Sequence, residues 1–124
     1  MIAVDTSSWS AYLAGESGAD VENVERALTR GHVVLPPVVL CELLSSPTLP
    51  AEAAKLFAQV PVLELSDGYW ERAGRLRAQV LARGLRARLA DTLIAVSCVD
   101  HHVPLVTRDS DFRHFVRIGG LELV

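Results

Sequence analysis

Ile2-Ala3-Val4-Asp5-Thr6-Ser7-Ser8-Trp9 holds the pattern that decides the fold. Three apolar, β-prone residues run directly into a carboxylate and three hydroxyls. Such a run reads as a short strand followed by N-cap chemistry, and it predicts a strand leading into a helix. The same order returns at Leu105-Val106-Thr107-Arg108-Asp109-Ser110-Asp111-Phe112. Between them, Val33-Val34-Leu35 is a strand stopped by Pro36-Pro37, Val62–Leu65 is a third, and Leu121–Val124 closes the chain as a last one. Helical spacing predicts helices over 9–14, 20–30, 38–46, 50–59, 67–83, 89–100 and 110–116, several ended by glycines at 15, 31 and 84. In the longest, Asp67 is the expected cap, with Trp70, Ala73, Leu76, Val80 and Leu81 on the buried side. Strands alternating with helices in this way imply an α/β fold, a parallel sheet of about four to five strands with helices on both faces.

The composition fits one folded domain spanning residues 1–124. Half of the residues are apolar and 22% are charged, which is outside the disordered regime. No apolar run approaches the roughly 18–20 residues that cross a bilayer. No targeting segment is visible, so a cytoplasmic protein is expected. The two cysteines, Cys41 and Cys98, form no CxxC pair and read as core residues of a reducing compartment. The formal charge of −3 by itself argues against a surface coated in basic residues for nucleic acid. Charge is uneven, however. The first 67 residues carry nine acids and three bases, and the remainder carries six acids and nine bases, six of them arginines between Arg72 and Arg88.

Several acids sit where solvated surface explains them poorly. Asp5 follows the first strand directly, and Asp109 and Asp111 follow the fourth. Glu42 lies inside Val38-Val39-Leu40-Cys41-Glu42-Leu43-Leu44, and Asp91 inside Leu89-Ala90-Asp91-Thr92-Leu93-Ile94-Ala95. Each has a plain structural reading: Asp5 and Asp109 as N-caps, Asp91 and Asp111 as first-turn acids, Glu42 as the solvent edge of a half-buried helix. The alternative is joint. In a parallel sheet, groups at the carboxyl ends of adjacent strands meet in one crevice. Glu42 and Asp91, expected near helix starts, can face the same rim. Carboxylates converging there repel one another, and a hard divalent ion such as Mg²⁺ relieves that repulsion. Acidic pockets of this kind serve metal-assisted phosphoryl chemistry.

At these residues the chain resembles a PIN-domain ribonuclease, in particular the VapC-type toxins of bacterial toxin–antitoxin pairs. The resemblance covers nearly the whole length. It rests on Val4-Asp5-Thr6-Ser7, Leu40-Cys41-Glu42-Leu43-Leu44, Asp91-Thr92-Leu93-Ile94-Ala95 and Leu105 to Phe112, in that order and spacing. It implies a PIN-like three-layer sandwich. It also implies that Asp5, Glu42, Asp91 and Asp109 are the catalytic acids, with Asp5, Asp91 and Asp109 as metal ligands and Asp111 a frequent fifth acid. Thr6, Ser7 and Thr107 fall where such enzymes place polar groups that orient the ligands. The implied activity is endonucleolytic hydrolysis of RNA by water activated on Mg²⁺, with Mn²⁺ as a substitute ion, leaving a 5′-phosphate and a 3′-hydroxyl. The implied partners are an RNA substrate, a VapB-type antitoxin that masks the acids, and a second copy of the chain meeting through apolar helices near the amino end. No membrane is implied.

Other residues carry less. The four histidines show no ligand spacing and read as caps and surface. Trp9, Tyr12, Tyr69 and Trp70 read as core or interface rather than base-stacking platforms. Arg108 and Arg113 border the acidic pocket and are the candidates for steering phosphate. A signalling receiver domain would need an acid after strand three and a lysine after a late strand. Here Lys55 is the only lysine and lies in a predicted helix. The remaining alternative is a PIN-like module without catalysis that binds RNA or protein. Five acids set aside for a metal pocket leave the rest of the chain at a formal +2, which suits an RNA partner.

Overall fold

A computed structural model describes all residues, Met1–Val124. Its three strands are β1 (Ile2–Val4), β2 (Val33–Val34) and β3 (Leu105–Val106). They form a parallel sheet in the order β2-β1-β3. Successive strand residues point to opposite faces. Ala3 and Val4, Val33 and Val34, and Leu105 and Val106 are nevertheless all buried. Both faces of the sheet are therefore covered by helices, as a parallel sheet requires.

The expected strands at Val62–Leu65 and Leu121–Val124 are reduced to single parallel bridges, Leu35 to Val62 and Leu105 to Leu123. The sheet is thus narrower than four to five full strands, although each outer segment lies where an edge strand would. The backbone explains the first reduction. Leu35 donates to the Pro61 carbonyl at 2.8 Å and accepts from Leu63 N at 2.9 Å. Pro36 and Pro37 follow, and without N–H groups they cannot extend the ladder.

Seven helices surround the sheet: α1 (Thr6–Leu13), α2 (Ala19–Thr29), α3 (Pro37–Leu44), α4 (Ala51–Gln59), α5 (Tyr69–Ala82), α6 (Leu89–Asp100) and α7 (Arg113–Gly119). A 3₁₀ turn, Ser110–Phe112, precedes α7. No helix is long and apolar enough to cross a membrane. Helix α1 starts three residues before Trp9 because Asp5, in extended conformation, already caps it through Ser7 N.

Helix α5 departs from expectation at its start. Its N-cap is Gly68 at φ 72°, not Asp67, and no side chain caps it. That left-handed conformation suits glycine. Tyr69 then turns inward and donates its hydroxyl to the Leu93 carbonyl at 2.6 Å. Adjacent residues on a helix point about 100° apart, so Trp70 faces solvent, 62% exposed, instead of joining the core. Leu81 is exposed beside buried Val80 for the same reason. Cys41 is also exposed, because Val39 and Leu43, four residues apart, set the inner face of α3. Cys98 is buried as expected, and burial pushes its thiol up to about 12.

Candidate active site

The parallel register brings the first acids together. Val4 pairs with Val106, so the residues that follow, Asp5 and Thr107, emerge side by side at the carboxyl end of the sheet. Asp5 N donates to the Val106 carbonyl at 3.0 Å. The Thr107 hydroxyl donates to Asp5 Oδ2, and the Asp109 backbone N–H donates back to that hydroxyl oxygen at 3.0 Å. Thr107 thus holds two acid-bearing segments in fixed relation. Ser7 donates to Asp5 twice, from its backbone N to Oδ1 at 2.5 Å and from its hydroxyl to Oδ2 at 3.1 Å. Asp5 is only 4% exposed, and burial raises its pKa although three hydrogen bonds oppose the rise.

The other acids arrive on helices. Asp91 lies in the first turn of α6. Glu42 lies in the last turn of α3 rather than near its start, and there it accepts the Thr6 hydroxyl at 2.7 Å. Its residue is exposed, so the solvent-edge reading describes its backbone position, while Thr6 fixes its carboxylate towards α1. Asp109 caps the 3₁₀ turn by accepting from Asp111 N at 2.9 Å. Asp111 faces Arg86 at 3.8 Å, the one ion pair that any of these five acids makes. Asp5, Glu42, Asp91 and Asp109 gather at one rim, and Asp111 stands at its edge.

Asp91 reveals the character of that rim. Its Oδ2 is buried and accepts no hydrogen bond. Its pKa is pushed up to about 6, first by burial, then by the negative charges of Asp109 and Asp5, with Glu42 adding a smaller push and Arg88 a small opposing pull. Four carboxylates therefore share one electrostatic field with little cationic compensation from the chain. As the side chains stand, no three His, Cys, Asp or Glu residues are grouped closely enough to hold a metal ion. The donors are all oxygens, and one of them is a desolvated orphan. That set fits a hard divalent cation, which prefers oxygen ligands.

The arginines expected to steer phosphate divide. Arg108 is engaged elsewhere: its Nε and Nη2 donate to the two Asp20 oxygens at 2.9 and 3.0 Å, and Glu16 lies 3.7 Å away. Asp20 also accepts the Ser8 hydroxyl at 2.8 Å. This pairing holds the Asp20 carboxyl down at about 2. Arg108 therefore ties the loop after β3 to α2 and is not free for substrate. The sequence gives no signal for this contact, since Asp20 and Arg108 are 88 residues apart and each has an ordinary local role. Arg113 remains unpaired. His101 Nε2 lies 2.7 Å from the Glu64 carbonyl, and Trp9 and Tyr69 are buried, in keeping with structural roles for all three.

Comparison with known proteins agrees with this architecture. The family model described as the PIN domain matches residues 2–118. Ribonuclease VapC5 of Mycobacterium tuberculosis is 27% identical over 93% of this chain and 90% of its own length. Among solved structures, VapBC2 from Rickettsia felis, bound to a DNA fragment from its promoter, superposes with a TM-score of 0.74 at 20% identity. It covers 100% of this chain and 98% of that one. The FitAcB structure from Neisseria gonorrhoeae gives 0.71 at 19% identity, covering 99% and 96%. VapBC-5 from Mycobacterium tuberculosis gives 0.68 at 24% identity, again covering 99% and 96%.

Proposed function

The chain belongs to the PIN domain family, and on that premise we propose that residues 1–124 form a single metal-dependent endoribonuclease domain, the toxin of a VapC-type toxin–antitoxin pair. One observation carries the proposal. Asp91 holds a buried, unpartnered oxygen in a field of three further carboxylates, at the carboxyl ends of parallel strands. A purely structural acid would be capped or ion-paired. The name of the curated relative, a ribonuclease, supports the reaction class.

Asp5, Asp91 and Asp109 would hold Mg²⁺, or Mn²⁺ in its place. When bound, the ion supplies water acidification and charge neutralisation at the phosphoryl group. The chain supplies the rest. Thr107 orients Asp5 and Asp109 together, Ser7 fixes the Asp5 rotamer, and Thr6 aims Glu42 at the rim. Carboxylate oxygens of Glu42 and Asp109 not engaged by the ion are placed to take up the proton of the attacking water. Asp111, 3.8 Å from the exposed Arg86, flanks the site. Hydrolysis leaves a 5′-phosphate and a 3′-hydroxyl.

The solved complexes of similar fold are toxin–antitoxin assemblies by name, which supports a VapB-type antitoxin as partner. A homodimer and a cytoplasmic location complete the proposal. The absence of a closed metal-ligating group favours one second reading, a PIN-like module without catalysis that binds RNA or protein. RNA cleavage assays in Mg²⁺ or Mn²⁺ separate the two. The nuclease reading expects cleavage by the wild type and none by Asp91→Ala or Asp5→Ala. Failure of the wild type to cut any RNA in either metal, or equal cutting by the variants, overturns it.

A further inference from the structure

Beside the acidic rim lies a second feature of opposite sign. A cleft of ≈ 280 Å³ is lined by Leu85, Ser110, Asp111, Arg113, His114 and Arg117. It is continuous with the acids, because Ser110 and Asp111 belong to the same 3₁₀ turn that Asp109 caps. Arg113 and Arg117 are four residues apart on α7, so both guanidinium groups project from one helical face. Neither has an acidic partner; the ion pairs of the molecule engage Arg72, Arg86 and Arg108 instead. Two like charges at this spacing destabilise a helix unless an anion lies between them. Arg86 follows the lining residue Leu85 in the chain and lies 3.8 Å from the lining residue Asp111, 64% exposed, a loose pair that is free to exchange partners.

The alternative basic surface is weaker. A cleft between α5 and α6 contains Arg72 and Arg75. Arg72, however, is bound in bidentate fashion by Asp100 and also donates to the Asp67 carbonyl. Its charge is consumed within the protein. The cleft against α7 alone combines unpaired arginines, a hydroxyl donor and contact with the acidic rim.

We infer that Arg113, Arg117 and Arg86 form a subsite for the backbone phosphates of the RNA strand next to the bond being cut. This inference rests on the ribonuclease reading and extends it. A metal pocket alone engages one phosphate, and a polyanionic strand needs cations on either side to stay in register. The arginines supply that attraction and Ser110 a neutral donor. Leu85 gives an apolar floor for a ribose or base. The arginines bind and position substrate and take no part in the chemical step.

The test measures binding and cleavage separately. Binding of a fluorescent single-stranded RNA of mixed sequence is followed by anisotropy in EDTA, over a series of salt concentrations. The double variant Arg113→Ala/Arg117→Ala is compared with wild type, with Arg113→Lys/Arg117→Lys, and with a control pair on α2, Arg26→Ala/Arg30→Ala. Two lost phosphate contacts should weaken binding about tenfold at low salt and lower the salt slope by about 1.4. The lysine pair should recover most of the affinity, and the control pair should match wild type. In Mg²⁺, the alanine pair should raise KM while kcat at saturating RNA stays within about twofold of wild type.

Equal affinity and slope for the alanine pair and wild type overturn the inference, and so does an equal loss in the control pair. A loss confined to binding of an acidic protein partner, with RNA affinity intact, also overturns it and assigns the cleft to that partner. If the wild type cleaves RNA while the alanine pair cleaves with unchanged KM, the subsite fails and the nuclease reading stands. If the wild type neither binds nor cleaves RNA, both fail.

Discussion

Asp20 and Asp91 are the same residue type in opposite settings. Asp20 receives two donors from Arg108 and one from Ser8, and its carboxyl is held down at about 2. Asp91 has a buried oxygen without a donor and three acids in its field, and its carboxyl is pushed up to about 6. One corner of the molecule has satisfied its charge within the chain, and the other has left it open. Structural acids find cations in the fold, because burying an unpaired carboxylate is costly. The open corner is therefore where the proposed cation would bind, and its uncompensated charge is the feature the proposed function rests on.

The contrast can be broken in several ways. The largest effect is expected at the open corner: Asp91→Asn should lower metal-dependent RNA cleavage by about 10²–10³-fold, measured as single-turnover rate in Mg²⁺. Asp20→Asn should leave that rate unchanged within about twofold. Equal losses in both would erase the distinction.

Thr107→Val comes next. It removes the hydroxyl that joins Asp5 to the Asp109 backbone, and about 10–100-fold in rate or metal affinity should go with it. Thr107→Ser, which keeps the hydroxyl, should recover most of the loss.

Stability without metal should respond in opposite directions. Asp91→Asn removes a repelled charge and should raise Tm by a few degrees, about 1 kcal/mol. Asp20→Asn should lower Tm by a few degrees, because Arg108 then loses a charged partner. Differential scanning fluorimetry in EDTA reads both.

The smallest effect is in pH dependence. The folded pKa of Asp91 lies above the ordinary 3.8, so the folded state binds its proton more tightly than the unfolded state. Its destabilisation is full above about pH 6 and gone below about pH 4. Asp20 behaves inversely: its stabilisation is full above about pH 4 and is lost as pH falls towards 2. In EDTA, the Tm advantage of Asp91→Asn over wild type should therefore shrink between pH 7 and pH 4, while the Tm deficit of Asp20→Asn should persist over that range.

Much of this was legible in the sequence, for physical reasons that can be named. Short β-prone runs ending in capping residues gave Asp5 and Asp109 their places, because capping is local chemistry within two residues. Asp91 lies in the first turn of α6 as its helix start predicts, whereas Glu42, expected near a helix start, lies in the last turn of α3. What stayed hidden depends on contacts between distant segments. Asp67 looks like a helix cap, yet Gly68 in left-handed conformation starts α5 instead. Trp70 looks like core, but Tyr69 can satisfy its hydroxyl inside and takes the inward position. Arg108 looks like a phosphate ligand beside the acids, and only the fold shows that Asp20 claims it. Residues Val62–Leu65 have strand composition, but the prolines after Leu35 limit their pairing to a single bridge.

The most direct test is a calorimetric titration of metal-free protein with Mn²⁺ at pH 7.5. Wild-type protein should bind Mn²⁺, because the ion offsets the mutual repulsion of Asp91, Asp109 and Asp5. Asp91→Asn should bind far more weakly, and Asp20→Asn should bind as the wild type does. Absence of Mn²⁺ binding by the wild type, or undiminished binding by Asp91→Asn, would contradict the assignment of the open carboxylates to a metal.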